Sequence, residues 1–121
     1  MTTLVQFYEQ IGGNYEEALA RLMNETLMNK FVHKYTADTS FSDLETALAD
    51  GELDVAFRAA HTLKGVAYNL GFNPLGDAAS TLTEALREGN EDQRIEENLA
   101  AMFTEVKLQH DKCIEAISAL D

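Results

Sequence analysis

Three residues within about one helical turn carry the chemistry this sequence could perform: His61, Lys64 and Gly65, in the run "AAHTLKGVAYNLG" from Ala59 to Gly71. An imidazole titrates close to neutrality, so a neutral nucleophilic nitrogen is available there. Histidine forms covalent phosphoryl intermediates, and the N–P bond is labile enough to pass the group onward. Lys64, at i+3, would bring positive charge to an anion carried on the ring, and Gly65, at i+4, removes the side chain that would cover the approach. A glycine inside a helix costs about 1 kcal/mol relative to alanine. Beside an exposed nucleophile, that cost points to a large partner that must come close. Spacing alone leaves two ordinary alternatives open: a histidine that is merely solvated, and a glycine that lets two helices pack tightly.

The helix that must position these residues is expected over about 52–70. With a step of about 100° per residue, Leu53, Ala56, Phe57, Ala60, Leu63, Ala67 and Leu70 fall in one apolar arc of roughly 140°. His61 lies about 135° from the centre of that arc, together with Asp54, Arg58, Thr62, Gly65 and Asn69 on the outer face. Lys64 sits at the margin, with a stem long enough to reach outward. Gly71 is placed to end the helix in a left-handed cap.

The remaining elements are also helical by pattern. A short N-terminal helix is expected at about 2–10, stopped by Gly12-Gly13. Asn14 and Glu17 have the spacing of a helix start, and the next helix is expected from Tyr15 to Tyr35. Its apolar stripe drifts around the axis. Ser40 and Asp43 signal a further start, for a helix of about three turns ending at Asp50-Gly51. Asn73-Pro74 reads as a capping side chain followed by proline at the first helical position. The last helix is expected from about Glu91 nearly to the C-terminus, with Ile95, Leu99, Met102, Val106, Cys113, Ile117 and Leu120 inward. The fold class predicted is all-α, an antiparallel up-down four-helix bundle with one or two additional short helices, as a single domain over 1–121.

Bulk properties narrow the function classes. The chain has 121 residues, 45% of them hydrophobic, with one proline and no tryptophan. Twenty-one acidic residues against nine basic ones give a formal charge of −12, which disfavours nucleic acid and anionic membrane as partners. The single Cys113 permits no internal disulfide, and no basic leader or spanning segment is evident, so a cytoplasmic protein is expected. His33 and His110 lack partners at metal-ligand spacing, and the bundle has no inward Glu-x-x-His pairs, so no metal site is predicted. No Walker-type phosphate loop or kinase motif occurs.

The core His61-Thr62-Leu63-Lys64-Gly65, with Gly71 six residues after Gly65, resembles the signature of histidine phosphotransfer (HPt) domains of two-component phosphorelays. Phe57, Ala59 and Ala60 before it, Asn69-Leu70-Gly71 after it and Leu75 in the next helix agree with that resemblance. It implies that His61 is the phosphoacceptor, that Lys64 steadies the phosphoryl oxygens, and that Gly65 gives a receiver domain its clearance. Arg58, Thr62, Tyr68 and Asn69 become candidate docking residues. The partners implied are response-regulator receiver domains and a hybrid sensor histidine kinase, with the chain itself a monomer. The chain would be a covalent carrier rather than an enzyme. It would have no cofactor of its own, the Mg²⁺ being brought by the receiver. Two positions depart from the family pattern: Thr83 stands where a glutamate is frequent after Leu82, and Ala79 where a cysteine is frequent. A rival reading is a helical adaptor that binds a receiver or partner helix without phosphorylation. A small metal-binding protein is a more distant third.

Overall fold

Capping chemistry sets the first boundaries in the computed structural model, which describes residues 2–121. Thr3 and Gln6 form a reciprocal capping box at the start of α1 (Leu4–Ile11), and Gly12 closes that helix at φ 71°. Asn14 accepts from the Glu17 amide at 2.9 Å and opens α2 (Tyr15–Leu22). The continuous helix expected from Tyr15 to Tyr35 is broken here. Met23 takes φ 82°, and the Asn24 side chain accepts from the Leu27 amide at 2.9 Å to start α3 (Glu25–Lys34). The competing side-chain cap wins over helix continuation, and the drifting stripe resolves into two faces, one burying Ala18 and the other Met28 and Val32.

A 3₁₀ turn (Tyr35–Ala37) leads to α4 (Ser40–Ala49). Ser40 is already helical; the capping oxygen comes from Asp38, which accepts from the Ser40 amide at 2.8 Å. Then follow α5 (Leu53–Asn69), α6 (Asn73–Leu86) and α7 (Glu96–Ser118). The bundle is made by these last four. α5 packs against α4 and α6, and α6 against α7. Phe41 of α4 closes the ring by stacking on Phe103 and His110 of α7, at centroid distances of 5.4 and 3.9 Å. Thus α4, a helix of under three turns, supplies the fourth wall of the bundle with Phe41, Leu44 and Ala47. The chain from Tyr15 to Tyr35 lies outside that ring.

Two later boundaries also differ from expectation. Asn73 provides no cap, because a Schellman turn passes the chain straight from α5 to α6. Gly71 at φ 75° donates to the Tyr68 carbonyl and Phe72 to the Ala67 carbonyl, at 3.1 and 2.8 Å. Pro74 falls among the first residues of α6, where its missing N–H is harmless. The last helix starts at Glu96, not Glu91. Residues 90–94 form successive turns instead, with Arg94 bonded to the Asn90 and Glu91 carbonyls, and Ile95 stays exposed. Leu99, Val106, Cys113 and Ile117 line the buried side of α7 as predicted, and Leu120 is buried just beyond it.

The N-terminal helices clasp the end of α5. Phe72 is fully buried and meets Phe7, Tyr8 and Tyr35 at 5.6, 6.2 and 5.5 Å. The Tyr8 hydroxyl donates to the Leu70 carbonyl at 2.5 Å, the Arg21 guanidinium to the Tyr68 carbonyl, and the Asn14 amide to the Gly71 carbonyl at 3.2 Å. Carbonyls that a helix end leaves without partners are satisfied from outside the helix.

Candidate functional site

The register of α5 is the predicted one. Ala56, Ala60, Leu63 and Ala67 are buried, with Leu53 and Phe57 half-buried beside them. Three alanines on that face let α5 sit close to its neighbours, so the opposite face stands away from the bundle. That outer face presents Arg58, His61, Thr62, Gly65 and Asn69, all exposed, with Lys64 and Tyr68 half-buried at its edge. The imidazole of His61 tilts against the Phe57 ring at a centroid distance of 6.1 Å. Among the described residues, no hydrogen bond engages that imidazole and no ion pair engages Lys64.

Gly65 decides between the two explanations for a glycine in this helix. A Cβ built there meets nothing within 4 Å, so helix packing does not require it. Gly76 of α6 is the opposite case: a Cβ there would come within 2.5 Å of the Tyr68 ring. Tyr68 therefore lies flat on α6, with its hydroxyl donating to Asp77 at 2.6 Å. That bond, with some desolvation, pushes the phenol up to about 12. The Thr62 hydroxyl is turned back onto its own helix, donating to the Arg58 carbonyl at 2.9 Å.

The two departures from the family pattern lie in the packing of α6. Ala79 and Thr83 are both fully buried, and the Thr83 hydroxyl donates to the Ala79 carbonyl at 2.6 Å. One residue later, on the exposed side of α6, stands a carboxylate. Glu84 is exposed and lies within the field of both Lys64 and His61. Its carboxyl is held below the ordinary range, first by the hydrogen bond from Arg87. Arg87 pairs with Glu84 Oε2 at 2.6 Å and stands over the Phe57 ring at 5.2 Å. The sequence pattern does not single out this pair. Its only sequence signal is the i,i+3 spacing of opposite charges; the rotation of α6 against α5 aims it.

The other singled-out residues lie elsewhere. His33 is half-buried, near the Asp121 carbonyl at 3.4 Å. Cys113 is buried, and desolvation pushes its thiol up to about 12. Among the described residues, no three His, Cys, Asp or Glu side chains converge as a metal site would need, and no helix is long and apolar enough to cross a membrane.

The family model described as the Hpt domain matches residues 34–119, the stretch from the last residue of α3 through α7. No curated protein and no solved structure matches the chain. The matched segment holds the whole four-helix ring together with His61, Lys64 and Gly65, and the chain belongs to the Hpt domain family, whose members serve phosphotransfer in two-component signalling.

Proposed function

We propose that this chain relays a phosphoryl group between receiver-domain aspartates through a covalent phospho-His61 intermediate. The observation that carries the reading is the open space over Gly65, beside an exposed imidazole with a cation one turn away. A neutral ring nitrogen of His61 attacks the phosphorus of an aspartyl phosphate. The N–P bond forms as the O–P bond breaks, and the aspartate leaves as a carboxylate. The other ring nitrogen keeps its proton. Lys64 balances the charge on the transferred oxygens, and the return step to a second receiver is the same displacement reversed. Phosphoryl transfer of this kind needs positioning and charge stabilisation above all. The Mg²⁺ is assigned to the receiver's acidic pocket, and this chain serves as carrier rather than kinase.

The receiver is expected to cover the face around His61, meeting Arg58, Thr62, Tyr68 and Asn69. Beyond Asn69 that face continues into an open groove of about 440 Å³, walled by Leu22, Phe31, Val66 and Leu70, with Arg21, Lys34 and Asp38 among its polar lining. The apolar floor, lined by two cations against one carboxylate, suits an acidic partner despite the net charge of −12. Incubation with a ³²P-labelled phosphoreceiver tests the reading. Acid-labile, alkali-stable label should appear on the wild type and be absent from His61→Gln, with the helical circular dichroism of both unchanged. Equal labelling of the variant would falsify the assignment. Receiver binding without label on either protein favours the adaptor.

A further inference from the structure

The α6 face beside His61 carries a guanidinium that the relay does not yet use. Arg87 sits over the Phe57 ring at 5.2 Å, and Phe57 in turn leans on His61 at 6.1 Å. The cation and the phosphoacceptor thus share one aromatic neighbour. At rest the guanidinium is engaged by Glu84, through Nη2 at 2.6 Å and Nε at 3.1 Å. Glu84 itself lies in the field of Lys64 and His61. A phosphoryl group on His61 would bring close to two negative charges into this neighbourhood. Lys64 answers one of them, and an unneutralised Glu84 would add a third.

We propose that Arg87 is a second phosphoryl-binding cation, held by Glu84 while His61 is bare and transferred to the phosphoryl oxygens once His61 is charged. The inference rests on the phospho-His61 reading and adds a residue and a regulating partner to it. The exchange is physically cheap. The side chains of the pair are 50% and 56% exposed, and solvent-screened pairs of this kind hold weakly. A phosphoryl group offers more charge than a carboxylate, and a planar guanidinium meets its oxygens two at a time. No covalent bond changes in the exchange; Arg87 gives up its hydrogen bonds to Glu84 Oε2 for bonds to phosphoryl oxygen. Glu84 thereby tunes how tightly the carrier keeps its cargo.

The test uses the isolated full chain charged with phosphoramidate, with His61→Gln as background for the other histidines. Hydrolysis half-life and the ³¹P NMR signal are followed without any receiver present. Arg87→Ala should shorten the half-life about threefold, with Arg87→Lys between it and the wild type, whereas Glu84→Gln should lengthen it by a similar factor, in keeping with an exposed charge pair. High salt should shrink both differences. Half-lives and ³¹P shifts unchanged in all three variants would overturn the assignment of Arg87. If His61 takes no phosphoryl group from phosphoramidate, the phospho-His61 reading falls and this inference with it. If it charges there but takes none from any receiver, the relay alone fails, and the Arg87 result still stands.

Discussion

The imidazole of His61 stands exposed on α5, tilted against the Phe57 ring, whereas that of His110 on α7 is half-buried and held by two aromatic neighbours. His110 lies flat on Phe41 with 3.9 Å between centroids, and its Nδ1 pairs with the Tyr35 hydroxyl at 2.7 Å. Desolvation holds its pKa below the ordinary histidine value, against a smaller upward pull from Asp111. One side chain type thus serves two ends. In the α4–α7 seam the ring is a packing piece whose nitrogen is spent on a structural bond. On α5, among the described residues, neither ring nitrogen is hydrogen-bonded, and the residue four positions on is a glycine with open space above it. The reactivity proposed for His61 follows from what surrounds the ring rather than from the ring.

The sharpest way to break this comparison is to remove each ring in turn. His61→Gln should abolish phosphoryl uptake and leave the urea midpoint within error, because a solvated side chain contributes little. His110→Gln should keep uptake but lower stability by about 1–2 kcal/mol through lost stacking and a lost hydrogen bond. Urea titration and labelling on the same preparations check both, and the reverse pattern would sink the contrast.

Next in size is the pair of helical glycines. Gly76→Ala should destabilise by about 1–3 kcal/mol, since its methyl must displace the Tyr68 ring. Gly65→Ala should stabilise by about 1 kcal/mol from helix propensity, its methyl meeting only solvent. The bulkier Gly65→Gln should slow receiver transfer while the fold holds. Thermal melts and transfer rates read these out; normal transfer by Gly65→Gln would remove the clearance argument.

The smallest effect is on pH. His110 has a depressed pKa in the folded state, so the unfolded chain binds more protons below the ordinary histidine value of about 6.5. Stability should therefore decline as pH falls from about 6.5 through the folded pKa, then level off for this group once both states are protonated. His110→Gln should flatten that part of the profile, and an unchanged slope would relocate the dependence to another group.

Much of this arrangement was readable from residue order, and the failures have physical causes. The face of α5 follows from period 3.6 alone, and Gly12 and Gly71 mark helix ends because their left-handed φ suits few other residues. The break at Met23 carries no such mark, since a methionine at positive φ is unusual. Only Asn24, three residues before Leu27, hinted at it. Ser40 and Asn73 look like caps, but Asp38 and a Schellman turn provide the boundaries instead. Glu84 and Arg87 were invisible as site residues because their role depends on how α6 is turned against α5, which no single-helix pattern encodes.

The clasp on the end of α5 comes largely from residues ahead of the segment the family model matches. Tyr8, Asn14 and Arg21 reach three carbonyls of that helix end, those of Leu70, Gly71 and Tyr68. A chain trimmed to 34–119 would retain every reactive atom and lose its mooring. Amide exchange in the last turn of α5 should then quicken, and the aim of the His61 face would blur although its own surroundings had not changed.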